Sequence, residues 1–136
     1  VSEFTIKGVT YRSGKMVGRT QIHVLRRAAP IIEPLFRSIS SGFTPEVAGM
    51  VIQGLGTLED EKLDYILDRA LAVVQKKEGT GWPSLMSSDG TRIMFEDVRN
   101  DGGLQLAICA NVLYVNYYPL FLDAPSLFNG GASFPQ

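Results

Sequence analysis

The longest strongly apolar stretch of the chain, Leu104 to Leu122, constrains the fold more than any other feature. It is interrupted by Gln105, Asn111, Asn116 and Pro119. A bilayer span needs roughly 20 mainly apolar residues, so a broken stretch reads as a helix buried in a folded core. Apolar residues lie nearly all round Leu104 to Tyr118, which puts this helix in the middle of the fold. Gln105, Asn111 and Asn116 then need hydrogen-bonding partners there. Pro119 is expected to end the helix.

The remaining elements must wrap around that helix. Phe4, Ile6, Val9 and Tyr11 alternate with polar residues around Lys7-Gly8, which predicts a β-hairpin over Glu3 to Arg12. Ile22, Leu25, Ala28 and Ala29 share one face of a helix beginning near Arg19, and Pro30 ends or kinks it. Ile31, Ile32, Leu35, Phe36 and Ile39 continue its apolar face. Thr44-Pro45-Glu46 is a helix start with a capping hydroxyl, proline at the first position and an acid after it. Glu59, Asp60 and Glu61 open the next helix, and Lys76-Lys77 sit in its expected last turn, matching the helix dipole. Leu63, Ile66, Leu67, Ala70, Leu71 and Val74 form its apolar stripe. Asp89-Gly90 predicts a second hairpin over Leu85 to Phe95. The expectation is an α+β fold, mainly helical, with four to five helices around a buried C-terminal helix and two small β-hairpins. Residues 1–122 form one domain, and 123–136, rich in Pro, Gly and Ser, form a disordered tail.

Composition narrows the chemistry. Of 136 residues, 45% are apolar and 20% charged, which fits an ordinary globular domain and argues against disorder. One His and one Cys exclude a multi-histidine centre, an intrachain disulfide and a CxxC pair. Asp60, Asp64 and Asp68 make an i, i+4, i+8 ladder, yet no calcium-type loop accompanies it, so a solvated acidic face is the simpler reading. His23 has no acid or nucleophile near it in sequence, and Cys109 lies among apolar neighbours that make a thiol inert. Gly54-x-Gly56 and Gly79-x-Gly81 lack the lysine and hydroxyl of a phosphate loop. No enzyme, metal or cofactor site emerges.

Surfaces are left. Residues 1–40 hold seven positive and two negative side chains, and the remainder six and twelve, behind a net charge of -1. That split predicts acidic-to-basic contact within the fold, with self-association between copies as the alternative. Arg19, Arg26, Arg27 and Arg37 form a modest basic stripe, too narrow for a nucleic-acid field. Tyr114, Tyr117, Tyr118 and Phe121 cluster at helical spacing, and are the candidate partner-binding residues against a simple core role. Nothing in Val1 to Thr10 looks like a secretory leader, and no membrane association is expected.

Several runs carry a family likeness. They include Gln21-Ile22-His23-Val24-Leu25-Arg26-Arg27-Ala28-Ala29-Pro30, Asp64-Tyr65-Ile66-Leu67 and Ile93-Met94-Phe95-Glu96-Asp97-Val98. With Phe4 to Tyr11, Leu71 to Gln75, Trp82 and Leu104-Gln105-Leu106, they resemble the small tail assembly chaperones of long-tailed bacteriophages and prophages. The likeness covers about residues 3 to 121. It implies a non-enzymatic protein of the bacterial host cytoplasm. Such a protein binds the tape measure protein, assists assembly of the tail tube protein around it, and is absent from the mature virion. A minor structural tail protein and a small DNA-binding regulator are the alternatives.

Overall fold

The computed structural model describes residues 2–39 and 42–127. Its N-terminal hairpin pairs β1 (Ser2–Ile6) with β2 (Val9–Ser13), in the register Ile6↔Val9 through Ser2↔Ser13. The turn residues Lys7 and Gly8 both have positive φ, 52° and 78°, the two-residue geometry whose twist matches the strands. Alternation sends Phe4, Ile6 and Tyr11 inward, and Phe4 stacks on Tyr11 at 5.6 Å.

The helices follow. α1 (Gly18–Ser38) is one continuous helix, not two pieces, although it contains Pro30 and Pro34. Both prolines are on the exposed side, one turn apart, where water can satisfy the carbonyls they leave unpaired. Its buried side is Val24, Ala28, Ile32 and Phe36. α2 (Pro45–Leu55) starts as expected: Thr44 Oγ1 accepts from the Val47 amide at 3.2 Å, with Pro45 in the first turn.

α3 (Asp60–Leu71) stops earlier than its apolar stripe suggests. The chain turns at Ala72-Val73, and Val74–Lys76 becomes a third strand, β3, antiparallel to β2 through Tyr11↔Lys76, Arg12↔Gln75 and Ser13↔Val74. Lys76 and Lys77 therefore serve no helix terminus. Lys76 reaches Asp97 at 3.2 Å and Glu78 at 3.4 Å, and the Lys77 amide donates to Thr10 O at 2.9 Å.

The second hairpin is reduced to a single bridge, Met86↔Ile93, around the Asp89-Gly90 turn. Leu85 and Met86 are both buried although adjacent, which a half-buried strand cannot arrange, and the Leu85 amide is spent on Val74 O. The Asp89 carboxylate accepts from Ser87 Oγ (2.6 Å), Thr91 Oγ1 (2.7 Å) and the Thr91 amide (3.1 Å). These bonds pull its pKa down to about 2. A depressed folded value means the turn gains from ionised Asp89 above the ordinary carboxylate range and loses it as pH falls toward 2. An NMR titration is expected to place the Asp89 midpoint near 2, with the Thr91 amide moving on the same curve; a midpoint at the ordinary aspartate value contradicts the geometry.

Glu96–Arg99 forms the short α4, and α5 runs from Gly102 to Leu127. It passes through Pro119 without ending, so the tail expected from Asp123 begins inside the helix; its remainder, 128–136, lies outside the described residues. α5 touches α1, α2, α3, α4, β1 and β2 and buries Ile108, Cys109, Ala110, Val112, Leu113 and Tyr117. Gln105, Asn111 and Asn116 each form side-chain hydrogen bonds. Asn116 Oδ1 accepts from the Met16 amide (2.9 Å) and Gln21 Nε2 (3.2 Å), while its Nδ2 donates to Gly14 O (3.2 Å) and Val112 O (3.0 Å). Ser13 Oγ donates to Asn111 Oδ1 at 2.9 Å, and Gln105 Nε2 donates to Val98 O and Arg99 O.

α1 crosses α2 closely at Gly54, where an added Cβ would overlap Ile31 Cγ2. Gly54→Ala is expected to cost about 1–2 kcal/mol, overpacking outweighing the gain in helix propensity. Urea unfolding measures this, and a stabilised variant shows that Ile31 moves aside freely.

Candidate partner-binding surface

The second half of α5 carries Tyr114, Tyr118 and Phe121 at i, i+4 and i+7, hence on one face. All three are half-buried. They surround Phe36 of α1, which is only 2% exposed, with edge-on contacts at 5.8, 6.1 and 6.1 Å. Tyr114 and Tyr118 stack at 4.8 Å with planes 16° apart. Phe43, just before α2, lies 4.9 Å from Tyr114. Arg37 sits over the outer ring, Phe121, at 5.7 Å. The result is an aromatic sheet with one side packed on Phe36 and, among the described residues, one side open.

Tyr117 does not join it. At i+3 from Tyr114 it lies next to them on α5, but it is fully buried, and its Oη donates to Gln21 O at 2.8 Å. Burial, then the neighbouring Cys109 and Tyr65, pushes its pKa above the ordinary phenol value. Tyr117 is a core residue, and the other three expected residues are brought together. Phe36 and Phe43 complete the cluster. Phe43 had a sequence signal: an apolar residue directly before a capping threonine often packs onto the first turns of its helix.

There are two apolar grooves, of which the first adjoins the cluster through Phe43. One, of about 260 Å³, lies between β1 and the start of α2 over α5, and Phe43 lines it. The other, of about 500 Å³, lies between α1 and α2, with Pro30, Ile31, Pro34, Leu35 and the half-exposed Met50 in its walls.

The polar candidates fall elsewhere. Arg26 and Arg27 line a pocket of about 330 Å³ with Glu59, Glu61, Lys62 and Tyr65, where basic α1 meets acidic α3. Arg27 and Arg69 stand 3.8 and 4.5 Å from the Tyr65 ring centre. With Lys7 bonded to Asp101 at 2.5 Å, part of the opposed charge is met inside the fold. Arg27 and Arg37 thus lie against aromatic rings, and Arg19, Arg26 and Arg37 are the exposed members of the stripe. His23 is half-buried, and its carbonyl accepts from Arg27. Cys109 is fully buried, its thiol pushed up to about 12 by desolvation. Asp60, Asp64 and Asp68 are exposed along α3, and among the described residues no three His, Cys, Asp or Glu converge on a metal position. Among those residues, too, no helix is long and apolar enough to cross a membrane.

Fold and surface together define a mainly helical α+β domain whose half-exposed aromatic side chains line its last helix. The profile of the phage tail assembly chaperone protein family, TAC, matches residues 7–129, and the chain belongs to that family. No curated protein and no solved structure matches it.

Proposed function

We propose that the chain is a non-enzymatic chaperone that binds the tape measure protein of its phage and keeps it soluble while the tail tube protein assembles around it. The observation that carries this reading is the open side of the Tyr114–Tyr118–Phe121 sheet, seated on Phe36 and flanked by the apolar groove that Phe43 lines. Large preorganised aromatic side chains give contact area at little entropic cost. A long helical partner with an apolar stripe fits such a surface, because helix-in-groove binding places anchors at i, i+3 and i+7. On this reading the protein acts in the host cytoplasm and leaves before the virion is finished.

Co-expression with the tape measure protein tests it. The expected result is a soluble tape measure protein that co-purifies with the chain; an insoluble one, whether or not the chain is present, overturns the proposal. Mass spectrometry of purified virions separates it from a minor structural tail protein, which would be retained.

A further inference from the structure

We propose that the groove between β1 and α2 receives an extended segment of a partner protein, basic at its ends and apolar at alternate positions, which adds to the sheet beside β1. The sheet order is β1-β2-β3, so β1 has a free edge among the described residues. Thr10 O already accepts from the Lys77 amide, which turns the Thr10 backbone toward β3. Thr5, its partner in the ladder, is therefore in a non-hydrogen-bonded pair, with its own N–H and C=O pointing out to the free edge. The two Oγ1 atoms of that pair lie 3.2 Å apart, as such a pair allows. Two residues back, Glu3 presents its backbone the same way. The pairing runs without a break from Ser2 to Ile6, and the strand has no proline or bulge to guard it.

What lies beyond this edge is a slot and not open solvent. Phe4 and Ile6 form one wall, Phe43 and Pro45 the other, and Ala107 and Asn111 the floor, around about 260 Å³. Ala107 keeps the floor low, so a backbone can approach. Asn111 is only 9% exposed; its Oδ1 takes the Ser13 hydroxyl, and among the described residues its Nδ2 has no acceptor. That leaves an accessible donor on a slot-lining residue, which a peptide carbonyl would satisfy. A helix would leave this donor and the outward groups of Glu3 and Thr5 unpaired, whereas a strand pairs them.

The rim sets the charge of the occupant. Glu3 and Glu46 are next in sequence to the lining residues Phe4 and Pro45, both are exposed, and neither has an ion-pair partner among the described residues. The neighbouring cations are held elsewhere: Lys7 by Asp101, and Arg12, opposite Glu3 in the ladder, by Gln75 and the Trp82 ring. The slot is thus bordered by two carboxylates that form no ion pair among the described residues, which favours a basic flank.

The test uses a synthetic heptapeptide, acetylated and amidated, of alternating Val and Thr with Lys at each end. It is titrated to millimolar concentration into the isotope-labelled full chain and followed by NMR. Saturable shifts are expected at Glu3, Thr5, Ala107 and the Asn111 side-chain amide, with exchange of the Glu3 and Thr5 amide protons slowed by about tenfold or more. Replacing the terminal Lys by Glu, or N-methylating alternate residues of the peptide, should weaken binding by about tenfold. Ala107→Leu should block the slot. Thr5→Pro should also abolish binding, because the one backbone group it removes is an outward donor that β2 does not use, and proline is tolerated on an edge. Absence of saturable shifts in the slot overturns the proposal, as does binding indifferent to N-methylation or to Thr5→Pro in a variant with an unchanged melting curve.

Discussion

Replacing Asn116 with leucine is expected to destabilise the fold by about 3 kcal/mol, the largest single-residue effect we foresee outside the apolar core. Asn116 is 2% exposed and makes four hydrogen bonds with two atoms. Two of them hold the segment between β2 and α1, at the Met16 amide and Gly14 O. Met16 is itself buried, so leucine would strand its amide without water. The loss should appear as a lower urea midpoint with an unchanged slope. Ser13→Ala, which removes one side-chain bond to α5, should cost only about 1 kcal/mol. If the two variants fall equally, the four-bond junction does not hold the segment.

The second large effect concerns binding. Tyr114→Ser combined with Tyr118→Glu should abolish solubilisation of the tape measure protein while leaving circular dichroism and most of the thermal stability intact. Both side chains are half-buried, so the change strips the open side of the aromatic sheet without emptying the core. Tyr117→Phe is the informative contrast. It loses the bond to Gln21 O and about 1 kcal/mol of stability, yet should solubilise the tape measure protein as well as the natural chain. Retained solubilisation in the double variant, or its loss in Tyr117→Phe, removes the aromatic sheet as the binding surface.

The contrast between Tyr117 and its neighbours shows where sequence reasoning reached its limit. A helix that is apolar all round has no preferred side, so period alone assigns Tyr114, Tyr117, Tyr118 and Phe121 to one cluster. Only the packing of α1 divides them. Val74 failed differently. It satisfies the helical stripe of α3 equally well as the start of a strand, and its pairing partner, Ser13, is remote in sequence. The prolines of α1 misled because their cost depends on exposure, which a local pattern does not report. By contrast, the first hairpin, the Thr44 cap and the central position of α5 each rest on short-range chemistry or on an unbroken apolar run, and those expectations held. The candidate surface was half visible in this way: three of its tyrosine and phenylalanine positions could be named, but Phe36 and Phe43 reach it from other elements.

The helix at the centre of the core is also made after every element it packs against. The bonds that tie the N-terminal third to it join residues 98, 100 and 102 positions apart. A ribosome adding about 5–20 residues per second therefore releases the hairpin and α1 to α3 seconds before their shared partner emerges. During that interval their apolar sides have only one another to close on. The fold is completed by a late event, and its rate is set by long loop closure more than by the helices themselves.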